Sequence, residues 1–290
     1  MTSTPNSPIN AGTQLYGLFG HPVGHSLSPL IHNAAFRHLH MNAAYMAFDV
    51  EAEYLSIAFE SIRALHIQGI NITIPFKEDA VNLVDEIPED IDRAIGAINT
   101  VVNRHGKLYG YNTDSPGFLE ALHGELGIKP EGKTTLILGA GGAARGVLYS
   151  LARAHAKKIW IHNRTRSRAH GLAEYAANFF PETEIEVVEQ LHEVRGEKID
   201  LVVNSTACGM KSSDEMPFDL RLLEQKTTVY DLIYSPEKTA FLKSAEKLGF
   251  NYANGLGMLV NQAALAIELW TGKRDGVREV MRAEIKRHLL

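Results

Sequence analysis

The chain reads as an α/β protein built from two α/β domains: a mostly parallel N-terminal sheet and a doubly wound second sheet. Three observations predict this. Short aliphatic runs alternate with helical stretches through most of the 290 residues, the pattern of sheets wrapped by crossover helices. A glycine-rich turn, Gly139-Ala140-Gly141-Gly142-Ala143-Ala144, joins a β-branched run to a helical one. A separate series of strands precedes it, with Gly124 to Gly132 as a linker. The expected boundaries are 14–115 plus 255–290 for the first domain and 116–254 for the second, with C-terminal helices returning to the first. Residues 1–13 are polar and rich in Pro, Ser and Asn, and read as a loose tail.

Leu15 to Phe19 forms the first predicted strand. Ser28 followed by Pro29 is a helix start, with Ser as N-cap and Pro at the first helical position. Ser28 thus has a structural explanation, whereas Ser26 does not; a hydroxyl near a helix N-terminus suits a carboxylate-bearing ligand. Ala44 to Val50 reads as the second strand, and Leu55, Ala58, Phe59, Ile62 and Leu65 have helical spacing. In Gly69 to Lys77 the alternation puts Ile70, Ile72 and Ile74 on one face and Asn71 and Thr73 on the other. Two adjacent polar side chains on a covered sheet predict a polar cavity. Lys77 lies past the end of that strand, where ligands gather in open α/β sheets, ahead of a helix predicted from Asp79 to Val84. A strand through Val102, a turn at Asn103 to Gly106 and a return strand from Leu108 to Tyr111 follow. Asp114 precedes Ser115-Pro116, a second predicted cap and helix start.

The second domain offers strands at Thr134–Leu138, Lys158–His162, Glu184–Val188, Asp200–Asn204 and Thr228–Leu232. The strand, glycine turn and helix at 134–154 give the G-x-G-x-x-A form of the Rossmann dinucleotide fingerprint. Gly139 makes the tight turn, Gly141 lets a pyrophosphate approach the backbone, and Ala144 permits close helix packing. The helix N-terminus adds free N–H groups and partial positive charge. An NAD site places a carboxylate at the end of the next strand. Here that strand runs into Asn163-Arg164-Thr165-Arg166-Ser167-Arg168, with three arginines and no acid. A guanidinium pairs with a 2′-phosphate where a carboxylate repels it, so the turn favours NADP, with Arg164 and Arg168 as first candidates and Arg166 facing water. Asn204 to Met210 should border the nicotinamide. A long apolar helix ending near Trp270 and a basic amphipathic helix close the chain.

Net charge is -5, with 22% charged and 45% hydrophobic residues. This composition gives no nucleic-acid footprint. One cysteine, Cys208, excludes an internal disulfide, and thirteen histidines occur without a metal-ligand spacing. No apolar run reaches membrane-spanning length. The expectations are a cytoplasmic protein, monomeric or homodimeric, with a small-molecule substrate and no nucleic-acid, membrane or metal partner.

Several segments together resemble the shikimate/quinate dehydrogenase family. They are Gly20-His21-Pro22, His25-Ser26-Leu27-Ser28-Pro29, Asn71 to Lys77, Gly96-Ala97-Ile98-Asn99-Thr100 and Asn112-Thr113-Asp114. Gly139 to Ala143, Asn163-Arg164-Thr165 and Gly255 to Ala263 complete the set. The resemblance implies NADPH-dependent reduction of 3-dehydroshikimate to shikimate, with Lys77 and Asp114 as the catalytic pair. It implies substrate contacts at Ser26, Ser28, Thr73, Asn99, Tyr234 and Gln262, with Asn71 lining the same pocket. Cofactor contacts are implied at Gly139, Ala140, Gly141, Gly142, Ala143, Asn163, Arg164, Thr165, Arg168, Ile233 and Gly255. Ser26-Leu27-Ser28 looks like the shikimate-preferring pattern rather than the quinate one. A protein that senses NADP without turnover would share the cofactor half but would have no use for a Lys–Asp pair.

Overall fold

The computed structural model describes residues 9–289 apart from 212 and 224–226. Residues 1–8 of the predicted tail lie outside it. Within the rest of that tail the chain is tied down: the Thr13 hydroxyl donates to Asn42 Oδ1 at 2.8 Å, and Asn42 Nδ2 donates to Asn10 Oδ1 at 3.2 Å. The chain divides into two compact units, Met1–Thr113 with Val260–Leu290, and Asp114–Leu259.

The first unit carries β1 (Gln14–Gly20), α1 (Ser28–His38), β2 (Ala43–Asp49), α2 (Leu55–Ala64), β3 (Gly69–Ile72), α3 (Asp90–Ile95), β4 (Thr100–Arg104) and β5 (Lys107–Tyr111). The sheet order is β2-β1-β3-β4-β5. β1 pairs in parallel with β2 and β3, while β4 pairs antiparallel with both β3 and β5. Only β4 therefore runs against the others. The α2 side chains Leu55, Phe59 and Ile62 are buried with Ile70, Ile72, Ile98 and Val101 in one core, as their spacing predicts. Asp79–Asn82 is a single 3-10 turn where a longer helix was expected.

The sequence alternation extends β3 too far. Thr73 still donates its N–H to Phe19 O, but its own carbonyl then accepts Phe76 N–H at 3.0 Å. The chain turns there, and Ile74 is 71% exposed instead of facing the core.

The C-terminal helices complete this unit. Trp270 of α8 (Leu256–Thr271) donates its indole N–H to Val101 O at 3.0 Å and lies against Gly69, where any Cβ would enter its ring. On α9 (Val277–Leu289), Val277, Met281 and Ile285 are fully buried, and Arg37 of α1 pairs with Glu284 of α9 at 3.2 Å.

A buried aromatic stack sits beside them. His32 on α1 stacks on Tyr45 of β2 with centroids 4.2 Å apart, and its Nδ1–H donates to Ser28 O at 2.9 Å. Nε2 is buried without a partner among the described residues. Burial lowers the pKa of His32 to about 4, partly opposed by the Ser28 bond. An unfolded histidine binds its proton near pH 6.5, so between those values the unfolded chain holds more protons than the folded one. The His32 contribution is thus present above about pH 6.5 and is lost at up to about 1.4 kcal/mol per unit as pH falls toward 4. We expect the stability gap between wild type and His32→Gln to shrink over that interval in urea unfolding; a constant gap would show that His32 does not titrate there.

The second unit carries α4 (Asp114–Leu126), β6 (Thr134–Leu138), α5 (Gly142–Arg153), β7 (Lys158–His162), α6 (Arg166–Ala177), β8 (Glu184–Val187), β9 (Leu201–Asn204), β10 (Thr228–Asp231), α7 (Ala240–Lys247) and β11 (Asn251–Asn254). All pairings are parallel, in the order β11-β10-β9-β6-β7-β8. Numbered within the unit this is 3-2-1-4-5-6 read from β8, the doubly wound dinucleotide order, with its switch point between β6 and β9. β11 is an addition to the strands expected. The predicted linker from Gly124 begins inside α4. Ser115 and Pro116 also lie inside α4, whose first residue is Asp114. Ser115 is buried and its Oγ accepts the Ser150 hydroxyl at 2.7 Å, so it ties α4 to α5 and is not the cap.

Candidate active site

At the switch point the protein itself demands one of the loop glycines. Gly139 has φ +116°, and a Cβ there would lie 2.5 Å from Ser205 Oγ. Gly141 and Gly142 are different. Gly141 has φ -93° and ψ -171°, a conformation any residue adopts. Among the described residues nothing lies within 4 Å of a Cβ built at either position. Their lack of a side chain therefore serves no neighbour in the fold; it leaves an open cradle above the N-terminus of α5. Ala144, fully buried, fills the third small position. The residues thus fit a dinucleotide pyrophosphate, held by backbone N–H groups and the helix dipole.

Two substitutions separate these roles. Gly139→Ala is expected to lose about 2 kcal/mol or more in denaturant unfolding, through backbone strain and the Ser205 contact. Gly141→Ala should unfold within about 0.5 kcal/mol of wild type yet bind NADP⁺ about tenfold or more weakly. Equal NADP⁺ affinity for Gly141→Ala would exclude close backbone approach.

At the exit of β7, Asn163 Nδ2 donates to Thr165 O at 2.8 Å and shapes the turn into α6. Arg166 pairs with Glu189 at 2.5 Å, and His170 lies 3.2 Å from the same carboxylate. Arg166 therefore has a partner and does not simply face water. Arg164 and Arg168 are exposed, and among the described residues neither guanidinium is in an ion pair. Further along the same unit, Gly255 donates its N–H to Ile233 O at 3.3 Å, and any Cβ on Gly255 would collide with the Leu232 carbonyl. The structure thus brings Ile233 and Gly255 together. Burial raises the phenol pKa of Tyr234, the next residue.

In the first unit, three residues of the predicted pocket, Asn71, Asn99 and Gln262, share one network. Asn99 Oδ1 accepts Thr113 N–H at 2.7 Å, and Asn99 Nδ2 donates to Thr113 Oγ1 at 3.0 Å and to Gln262 Oε1 at 3.4 Å. Asn71 Nδ2 donates to Asn99 O and Thr100 Oγ1, both at 3.1 Å, and Asn71 Oδ1 accepts the Tyr45 hydroxyl at 2.8 Å. Asn71 is buried and both its amide protons are used internally. These bonds tie Asn71 to Asn99 and Thr100. Thr73 and Lys77 are half-buried beyond the end of β3, and the Lys77 carbonyl accepts Ile98 N–H at 2.9 Å. Lys77 is thereby anchored one residue from Asn99.

The serine assignment reverses. α1 begins at Ser28, with Leu27 in the cap position and no side-chain cap. Ser26 Oγ accepts the Ser28 N–H at 3.2 Å. Ser26 is the residue with a turn-capping role, and Ser28 is a buried residue of the first turn.

Comparison with known proteins places the chain. Three family profiles match in order: shikimate dehydrogenase substrate binding domain over residues 18–101, shikimate/quinate 5-dehydrogenase over 123–212, and shikimate 5′-dehydrogenase C-terminal domain over 255–286. A shikimate dehydrogenase (NADP⁺) of Caldanaerobacter subterraneus subsp. tengcongensis is 44% identical over 96% of this chain and 99% of its own. The chain belongs to the shikimate dehydrogenase family. The crystal structure of the Aquifex aeolicus member of this family superposes with a TM-score of 0.88 at 41% identity, covering 96% of this chain and 100% of that one. The Thermus thermophilus member, solved with NADP(H) and shikimate, gives 0.82 at 37% identity, covering 94% and 100%.

Within the family framework, two residues emerge that the sequence did not single out. Thr113 stands in the Asn112-Thr113-Asp114 motif, but only the structure gives it the paired bonds to Asn99. Tyr45 sits in an unremarkable strand, where its hydroxyl reaches Asn71 and burial pushes its pKa well up. The alternation of β2 could have marked Tyr45 as inward-facing; nothing in it marks the polar partner. Among the described residues no helix is long and apolar enough to cross a membrane, and no acidic, His or Cys cluster suits a metal.

Proposed function

We infer that the protein catalyses the reversible NADPH-dependent reduction of 3-dehydroshikimate to shikimate. The observation that carries this is the open glycine cradle followed by a carboxylate-free turn with two arginines outside any ion pair among the described residues, in a chain of this family. Gly139 to Ala143, Asn163 to Thr165, Arg168, Ile233 and Gly255 would hold NADP, with Arg164 and Arg168 on the 2′-phosphate. When bound, its nicotinamide exchanges a hydride with the substrate. Lys77 donates a proton to the ketone oxygen as negative charge develops there, and Asp114 holds the ammonium in place. Ser26 and Ser28 receive the substrate carboxylate; Thr73, Asn99, Tyr234 and Gln262 receive the ring and its hydroxyls, and Asn71 braces Asn99. On this reading the protein acts in the cytoplasm, as a monomer or homodimer.

Mixing the protein with shikimate and NADP⁺ tests this directly. Nicotinamide absorbance should rise with that pair and stay flat with quinate or with NAD⁺. A rise with quinate would move the protein to the broader branch; NADP⁺ binding without any rise would favour a sensor.

A further inference from the structure

Two buried side chains hold two loops at once at the carboxyl ends of β9 and β10. Asn204 and Asp231 are the last residues of these strands, opposite each other in register, and both are fully buried. Asn204 Nδ2 donates to Asp231 Oδ1 at 3.0 Å and to Cys208 O at 3.2 Å. Asn204 Oδ1 accepts the Thr206 N–H at 3.1 Å and the Thr206 hydroxyl at 2.7 Å. Asp231 Oδ1 also accepts Ile233 N–H at 3.1 Å, and its Oδ2 accepts the Thr239 hydroxyl at 2.6 Å. Apart from the bond between the two side chains, every one of these bonds ends on one of two loops, 205–209 or 232–239.

The loops also meet each other. A Cβ at Gly209 would lie 3.5 Å from Ile233 Cδ1 and 3.4 Å from Thr239 Cβ. Burial raises the Asp231 pKa, opposed by the bonds it accepts. Among the described residues Asp231 has no basic partner, and such a buried carboxylate costs stability that an apolar residue would not. Its retention calls for a reason other than packing.

The location supplies one. The glycine loop and the arginine turn belong to the β6–β8 half of the sheet, which takes the adenosine end of a dinucleotide. β9, β10 and β11 form the other half, beyond the switch point, which takes the nicotinamide end. We propose that Asn204 and Asp231 are a positioning pair for the nicotinamide half of the cofactor, setting Ile233 and the 205–209 loop against its ring. This rests on the reading of Ile233 as a cofactor contact.

Adenosine 2′,5′-bisphosphate, which has the 2′-phosphate but no nicotinamide, separates positioning from a general structural role. For Asp231→Ala, affinity for the bisphosphate should stay within about twofold of wild type. kcat should fall about 10–100-fold, the loss that accompanies a misplacement of about 1 Å. Asp231→Asn, whose amide can still accept Ile233 N–H and donate to the Thr239 hydroxyl, should recover most of kcat. Asn204→Ala removes the same anchor from the other strand and should give the same split, which keeps the test open if Asp231→Ala does not fold. Equal loss of bisphosphate affinity and kcat in the folded variants would overturn the proposal. Ile233→Ala, measured in parallel, isolates the underlying reading. An unchanged kcat and NADP⁺ affinity there would overturn that reading and the proposal with it. An impaired Ile233→Ala beside normal Asp231→Ala and Asn204→Ala would overturn the positioning role alone.

Discussion

Lys77→Ala is expected to lower kcat about 10²–10⁴-fold, the span typical of removing a positioned general acid, while NADP⁺ affinity changes little. Two features separate the roles. Lys77 belongs to the first unit, whereas the glycine cradle and arginine turn belong to the second. Its backbone is fixed by the Ile98 bond, so alanine removes the ammonium without freeing the chain. Lys77→Arg sharpens the test. Guanidinium keeps the positive charge but holds its proton too tightly to give it up. If charge alone sufficed, arginine would restore turnover; if proton donation matters, kcat stays low. Initial rates at saturating 3-dehydroshikimate and NADPH, with fluorescence titration for NADP⁺ binding, read both quantities. Turnover at the wild-type level in Lys77→Ala would remove the proposed mechanism.

The parts of the chain that were legible beforehand share a physical basis. β6 and β7 are interior parallel strands with buried apolar centres, and the pattern bounds both at the residues observed, Thr134–Leu138 and Lys158–His162. The glycine loop was legible because positive φ at Gly139 restricts residue choice strongly and the turn stands between a strand and a helix. β11 was missed because Asn251-Tyr252-Ala253-Asn254 is short, half-exposed and polar at both ends, so it carries no periodic signal. Ser26 and Ser28 were exchanged because a helix start is ambiguous by a residue when two serines stand two apart, and only the Ser26–Ser28 bond decides it. Asn71 looked open for a similar reason. Alternation shows which face a side chain occupies but not that Tyr45, Asn99 and Thr100 already satisfy it. Long-range polar pairing is invisible to a one-dimensional pattern, and that is where the positioning residues Thr113, Asn204 and Asp231 were hidden.

The second large effect concerns cofactor choice. Replacing Arg164 and Arg168 together with alanine is expected to raise the KM for NADP⁺ about 10²–10³-fold. Each substitution removes a charge-assisted bond of roughly 1.5–3 kcal/mol, discounted because both side chains are solvent-exposed and screened. The KM for NAD⁺ should move by no more than about twofold, since NAD⁺ has no 2′-phosphate. Arg166→Ala is the internal control. Its guanidinium is held by Glu189, so its removal should change NADP⁺ affinity far less than either neighbour, despite an identical change in net charge. This contrast distinguishes a specific phosphate clamp from a diffuse basic surface. A diffuse field would respond equally to all three arginines, because screened Coulomb attraction depends on charge and distance and not on which donor is free. If Arg166→Ala matched Arg164→Ala, or if NAD⁺ and NADP⁺ weakened together in the double variant, the turn would be acting through its net charge or its shape, and the basis offered here for NADP preference would fall.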